Sequence, residues 1–484
     1  MNPAPNILIF MTDQQRGASV LGEAQMPHVE QFKKEGLTFT QAHCPSPHCC
    51  PSRASFFSGL MPTQHEVWHN VQVPNAITRE LAPGVETWSE SLKASGYDLF
   101  FAGKWHVSAT ESPGDRGFEP AGEKPFPKTG TDNLSQRCWD RIKTSTPSQP
   151  ESENRKQGEI QRSGYPPYTH YGISENPFND QNVVDMAKDR LLSLKDHSKP
   201  WCLYAGTLGP HDPYFVPQEY LDLYPIEDIE LPESYMDDLS NRPNLYRRTR
   251  DRFAQLTDQE HKEAIQHYLA FCTYEDALFG QLLKALEEQG DADNTLVVYL
   301  SDHGDYMAEH GLWCKGLPCF KGAYHIPCIL RWPKGLTQPG RSVDEFIGLQ
   351  DFAPTFTDLA GSKPLGWLSG SSLLPFIRNE NDIKWRQEYY TQSNGNELYG
   401  IQRSVTNRNY KLVFNGFDYD ELYDLTKDPH EMNNLIDDPS MKTVIKEMYK
   451  KLWSYALEHN DQYTNGYIMT ALAEHGPAIA FAEN

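Results

Sequence analysis

Apolar positions along this chain fall into two spacings. Four short, unbroken runs come first: Asn6–Thr12 (NILIFMT), Tyr97–Ala102 (YDLFFA), Trp201–Ala205 (WCLYA) and Thr295–Leu300 (TLVVYL). Runs this short, bounded by turn residues and separated by helical stretches, predict strands buried on both faces of a parallel sheet. Each leads into reactive polar residues, respectively Asp13-Gln14-Gln15-Arg16, Gly103-Lys104-Trp105-His106, Gly209-Pro210-His211-Asp212-Pro213 and Ser301-Asp302-His303-Gly304-Asp305. Doubly wound sheets bind ligands beyond the carboxyl ends of their strands. Four polar clusters at one such edge therefore predict a single site.

The second spacing is helical. Residues 264–289 place Ile265, Leu269, Leu278, Leu282 and Leu286 on one face, with Gly290 as the stop. Over 108–180 and 225–260 neither spacing holds, and Pro, Gly, Ser, Asn and charge dominate. Insertions of this kind serve as lids or binding loops, or are plain surface excursions. Tyr165, Tyr168, His170 and Tyr171 cluster in the first insertion, where aromatic rings either stack on sugar or anchor the loop. After Pro375, strand-like pieces such as Tyr410–Phe414 and Glu421–Tyr423 alternate with turns. A helix then runs from about Ser440 to His459 with Val444, Met448, Leu452 and Tyr455 on one face. The expected fold is α/β: a large domain over 1–378 with a mixed, mostly parallel sheet flanked by helices, and an α+β domain over 379–484 with a short antiparallel sheet.

Composition narrows the function more than the fold. A length of 484 residues with 38% hydrophobic content supports a large core plus a smaller one. The net charge of −22 disfavours nucleic acid and anionic membrane as partners, but not a small anion that responds to a local field. The nine cysteines show no paired CxxC spacing and are too sparse for a disulfide scaffold, so most are expected reduced and buried. The N-terminus lacks a basic segment, and no run is long enough to cross a membrane. The expected location is cytoplasmic, or periplasmic if a leader has been removed.

Residues 49–59 read CCPSRASFFSG. Pro51 is tolerated in the first turn of a helix that would run to about Ser58 and stop at Gly59. Cys49 then sits at the helix N-terminus, where unpaired amides favour an anion, and Arg53 follows about one turn later on the same side. Cys49, Pro51 and Arg53 fit Cys-x-Pro-x-Arg, whereas counting from Cys44 or Cys50 puts a serine where the proline belongs.

With NILIFMTDQQR, GKWH, GPHDPY, NTLVVYLSDHGDYMAEHGLWCKG, LQDFAPTFTDLAG and ELYDLTKDPHEMNNL in order, the chain resembles the formylglycine sulfatases of the alkaline-phosphatase superfamily over nearly its full length. The resemblance implies an alkaline-phosphatase-like fold and a formylglycine made from Cys49 by a maturation enzyme. It implies a divalent metal at Asp13, Gln14, Cys49, Asp302 and His303. Gln14 stands where many members have a second Asp, and His303 where many have Asn. Ca2+ is the expected ion on hard oxygen ligands, with Mn2+ or Zn2+ the alternatives that a ring nitrogen admits. The Gln-and-His combination also resembles phosphonate monoester hydrolases and choline sulfatases. Arg53, Lys104 and Lys315 are implied to spread charge on the sulfate, His211 to protonate the leaving alcohol, and His106 to take the proton whose loss expels sulfate.

His69, Asn70 and His170 are candidates to contact substrate. The expected function is sulfate-ester hydrolysis on a sulfated carbohydrate. A phosphonate monoester or phosphodiester hydrolase is the nearest rival, and an inactive protein that binds sulfated glycans the next. A homo-oligomer is left open.

Overall fold

A computed structural model describes residues 4–127, 155–162, 165–396 and 398–464, with positions 140, 143, 467 and 475–477. An eight-stranded sheet runs through the centre. Its strands are β1 (Asn6–Thr12), β2 (Leu37–His43), β3 (Asp98–Gly103), β4 (Glu119–Pro120), β5 (Trp201–Gly206), β6 (Thr295–Ser301), β7 (Cys328–Arg331) and β8 (Arg341–Gly348). In space they run β8-β2-β7-β6-β1-β5-β3-β4. Only β7 is antiparallel to its neighbours, β6 and β2. The four apolar runs became β6, β1, β5 and β3, side by side in the middle of the sheet.

Period-two alternation splits each strand between two cores. Ile7, Ile9 and Met11 of β1 pack with Phe56 and Phe57 of one helix and Phe352 and Phe356 of another. Leu8 and Phe10 face the opposite layer, with Val184, Phe271 and Phe279. The helices are α1 (Pro27–Glu35), α2 (Cys49–Ser58), α3 (Asp180–Ser193), α4 (Asp258–Gln289), α5 (Phe352–Ala360) and α6 (Lys442–Glu458). Thus α2 and α5 cover one face, and α1, α3 and α4 the other.

Helix α4 begins at Asp258, six residues before the apolar periodicity. Thr257 and Glu260 form a capping box there, with Glu260 N donating to Thr257 Oγ1 at 3.2 Å and Thr257 N to Glu260 Oε2 at 2.9 Å. Gly290 closes it at φ 105°.

The C-terminal sheet is a meander of β9 (Tyr389–Gly395), β10 (Tyr399–Thr406), β11 (Tyr410–Asn415) and β12 (Glu421–Asp424). Helix α6 packs Ile445, Met448, Tyr449, Leu452 and Trp453 against Val405, Leu412, Phe414 and Leu422. Its buried face is rotated from the expected one. Val444 and Tyr455 are only half-buried, because Tyr449 and Trp453 take the core while Tyr455 stacks on Tyr390 at 3.7 Å.

All eight described cysteines are free, and Cys138 lies outside the described residues. Among the described residues no helix is long and apolar enough to cross a membrane.

Candidate active site

Strand pairing builds the site before any side chain acts. Thr12 lies opposite Ser301 in the parallel β1–β6 ladder, so Asp13 and Asp302 leave the sheet side by side. Backbone bonds from Asp13 N to the Gly209 carbonyl (3.1 Å) and from Lys104 N to the Gly206 carbonyl (2.9 Å) bring in the ends of β5 and β3. At that last junction Gly103 has φ +88°, and a Cβ there would meet the Gly206 carbonyl at 1.9 Å. A side chain at 103 would force the two strand ends apart.

Cys49 opens α2 and is 1% exposed. Its Sγ lies 3.2 Å from His303 Nε2 and 3.7 Å from Asp13 Oδ1. One ligand atom each from Asp13, Cys49, Asp302 and His303 lie within 4.8 Å of one another, all on buried side chains. His303 Nδ1 sits 3.0 Å from the Gly304 carbonyl, so Nδ1–H donates there and Nε2 faces the cluster. Gln14, at φ 67°, donates Nε2–H to Asp305 Oδ2 at 2.6 Å. That bond fixes the amide so that Oε1, its only ligating atom, faces Lys315, from which it accepts. Carboxylates, an amide oxygen and an imidazole that offers Nε2 once deprotonated together fit a divalent cation.

Positive groups ring this cluster. Arg53 Nε donates to Asp302 Oδ2 at 2.7 Å, and Nη1 donates to Tyr204 Oη at 2.8 Å and to the Lys104 carbonyl at 3.0 Å. Its Nη2 is buried with no partner. Lys104 pairs with Asp13, and Lys315 contacts His211 Nε2. His106 holds a left-handed φ of 53°, a strained conformation of the kind that gathers at functional sites.

Burial opposes charge on each of these groups. For Cys49, Lys104, Lys315 and His303 overcome it and hold the thiol well below its ordinary range. For Asp13, burial and the Cys49 charge are outweighed by Lys104, His211 and the His303 hydrogen bond, and its carboxyl falls well below the usual value. Burial is likewise outweighed at His303, where Asp302 and Cys49 raise the ring to about 10. The two remaining histidines are driven apart. Burial and Lys104 lower His106, whereas at His211 burial and Lys315 are outweighed by Asp212 and Asp13, and its affinity for a proton rises.

Asp13, Gln14, Cys49, Arg53, Lys104, His106, His211, Asp302, His303 and Lys315 thus join one connected network. The three substrate candidates separate. Asn70 lines an open cavity of about 670 Å³ that Lys315 and His211 also wall. His69 is buried beneath, edge-on to Tyr399 at 5.3 Å, with neither ring nitrogen bonded. His170 is a core residue, enclosed by Trp313 at 4.8 Å and Tyr214 at 4.9 Å, and burial holds its ring down to about 3. Tyr168 and Tyr171 anchor their loop through Asp212 (2.6 Å) and Glu263 (2.5 Å). The side chain of Tyr165 lies outside the described residues.

Sequence reasoning assigned no role to Asp305, Asp212, Tyr204 or His48. The first two stand inside the motifs already quoted. Arg162 and Arg252, also on the cavity wall, have no local signal at all.

The Sulfatase family profile matches residues 5–362. The chain belongs to the sulfatase family. A second profile, the N-sulphoglucosamine sulphohydrolase C-terminal region, matches residues 308–458 of this sulfatase. It is 29% identical over 462 residues to the choline-sulfatase of Rhizobium meliloti, covering 90% of this chain and 83% of the relative. It is 28% identical over 490 residues to the Delta 4,5-hexuronate-2-O-sulfatase of Bacteroides thetaiotaomicron, covering 95% and 90%. The phosphonate monoester hydrolase of Agrobacterium radiobacter superposes with a TM-score of 0.74 at 22% identity, covering 98% and 99%, and shares the fold. The sulfatase is a sulfuric ester hydrolase.

Proposed function

We propose that this sulfatase cleaves the sulfate ester of a carbohydrate, with Cys49 converted to formylglycine and a divalent cation held by Asp13, Gln14, Asp302 and His303. The observation that carries the reading is the placement of Cys49 Sγ, at a helix N-terminus and 3.2 Å from His303 Nε2, inside a ring of Arg53, Lys104 and Lys315. The sugar assignment is supported by the hexuronate sulfatase among the relatives and by a cavity in the size range of drug-sized ligands.

The cation and the formylglycine, when present, supply an activated oxygen nucleophile and draw charge from the sulfate. Arg53 holds Asp302 in place and keeps Nη2 for the substrate. Lys104 and Lys315 stand on either side, tied to Asp13 and Gln14, and offset negative charge as it spreads over the sulfate oxygens. The Lys315–His211 contact requires one of its two nitrogens to be neutral. It therefore presents a shared proton at His211 Nε2 on the cavity wall, where a leaving alkoxide needs one. His106, held neutral, is the base that takes a proton back.

Conversion is tested by mass spectrometry of the Cys49 peptide after co-expression with a formylglycine-generating enzyme, and the reaction by sulfate release from sulfated oligosaccharides. An unmodified thiol in that peptide contradicts the nucleophile. Gln14 and His303, one carboxylate fewer and one ring nitrogen more than the pattern of many members, favour a second reading, a phosphonate monoester hydrolase. A large preference for phenylphosphonate over aryl sulfate esters would establish it in place of the first.

A further inference from the structure

An amide in a metal site has a wrong way round, which a carboxylate does not. The two ends of the Gln14 side chain are nearly equal in size, but only Oε1 has a lone pair for a cation, while Nε2 offers hydrogens alone. The Gln14 backbone is held on both sides. Its N–H donates to Asp302 Oδ1 at 3.2 Å, and its carbonyl accepts from Tyr268 Oη at 2.9 Å. Neither bond decides which way the amide turns.

Asp305 decides it. Its side chain is fully buried, and three donors converge on it. Met307 N donates to Oδ1 at 2.7 Å, while Gln14 Nε2 and Tyr214 Oη donate to Oδ2 at 2.6 and 2.5 Å. A carboxylate only accepts, so it admits the NH2 end of Gln14 and rejects the oxygen. The backbone N–H of Met307 cannot reverse its polarity, which fixes the direction of these bonds from one end. Tyr214 is wedged in turn. It opens the strand Tyr214–Val216, paired with Tyr171–Ile173 of the first insertion, and its ring packs on His170 at 4.9 Å and Trp313 at 5.6 Å. At the far end of the amide Lys315 donates to Oε1, which demands the same orientation.

We propose that Asp305 is a positioning residue for the metal site, and that by accepting from Nε2 it keeps the oxygen of Gln14 available to the cation. This rests on the metal reading above. Asp305→Asn replaces one atom and inverts the hydrogen bonding. Met307 N–H retains the new amide's oxygen, so its NH2 points at Gln14 and Tyr214. The tyrosine hydroxyl can turn and accept, but the Gln14 NH2 cannot. Either two NH2 groups oppose each other, or Gln14 turns over and presents hydrogens to the cation and to Lys315. Gln14→Glu escapes the conflict, because both ends of a carboxylate accept.

The test titrates four full-length proteins with Ca2+ and with Mn2+ by calorimetry, Cys49 unconverted in all: wild type, Asp305→Asn, Gln14→Glu and the double variant. Asp305→Asn alone is expected to bind the preferred ion about 10- to 100-fold more weakly than wild type. In the Gln14→Glu background the same change should cost nothing or tighten binding. Loss of a nearby negative charge, or a merely structural role, weakens binding equally in both backgrounds, and that result overturns the proposal. Should Asp305→Asn alone fail to fold, the other pair still decides, since weaker uptake by the double variant than by Gln14→Glu overturns it too. A wild type that takes up neither ion overturns the metal reading and the proposal with it, whereas wild-type affinity in Asp305→Asn overturns the proposal alone.

Discussion

Behind the loop that carries His211 lies a buried pair of carboxyls, Asp180 and Glu275. Asp180 of α3 accepts from Leu208 N at 2.9 Å and Gly209 N at 2.7 Å, and so braces that loop. Glu275 of α4 is fully buried against it, so close that a Cβ on Gly209 would meet its Oε1 at 2.1 Å. Burial, then Asp180, raises Glu275 well above the ordinary range, and burial raises Asp180 to about 7. The two titrate as a unit. A carboxyl raised on folding binds more protons in the native state than in the unfolded one. Its stabilising effect is complete below the unfolded pKa near 4 and is lost as pH rises through the folded value. For a rise of about three units, the loss between pH 4 and 8 is about 4 kcal/mol. Glu275→Gln preserves volume, removes one charge and gives Asp180 a donor. We expect the variant to be less pH-dependent than the wild type and more stable at pH 8 by about 2–4 kcal/mol. Urea melts of both proteins at fixed metal concentration, followed by tryptophan fluorescence from pH 5 to 8, give the difference directly. Parallel profiles for the two proteins would refute the shared-proton argument.

Four further outcomes follow from the site. His211→Asn should lower kcat by about 100-fold or more on alkyl sulfates, and far less on aryl sulfates with good leaving groups. Because Asp212 and Asp13 raise His211, wild-type activity should fall on the alkaline side above the usual histidine range, a limb that the variant's pH–rate profile lacks. Arg53→Met leaves the fully buried Asp302 without its 2.7 Å partner and should cost about 3–5 kcal/mol in chemical denaturation of the metal-free protein. Chelation should abolish activity and lower stability by about 2.7 kcal/mol relative to protein held at 100 times the metal Kd. In elemental analysis, Gln14→Asp should shift the bound ion toward Ca2+.

The strands that carry chemistry were legible in the sequence because they are buried on both faces and so read as unbroken apolar runs. β1 ends where the pattern placed it, and β3, β5 and β6 differ by a residue. β8 was not legible. Its first five positions alternate half-buried and exposed at the sheet edge, and Arg341, Asp344 and Glu345 look like loop. The start of α4 is written in a capping box rather than in its periodicity. The ten residues that the resemblance singled out lie in one network: strand register joins the motif ends after β1, β3, β5 and β6, and α2 carries in Cys49 and Arg53. Arg162 and Arg252 were hidden on the cavity wall, since the loop that carries Arg162 is fastened there by the Gln255 side chain and the Gln161 backbone, which no periodicity encodes. His170 misled for the opposite reason: a polar residue among aromatics in a loop reads as surface, and here it is core.

The depth of Cys49 sets a clock. Every residue of α2 is buried, and the groups that enclose Cys49 arrive late in synthesis, with His303 following it by 254 positions. At about 5–20 residues per second, the chain grows for roughly 13–50 s between making that cysteine and making its histidine neighbour. With Cys49 converted as proposed, the converting enzyme would have that interval, plus the folding time, in which to reach an open peptide. Once β6 inserts between β7 and β1, the same packing that encloses Cys49 would shut a modifying enzyme out. Faster folding, or slower delivery of the maturation enzyme, would then yield a perfectly folded protein with an inert thiol.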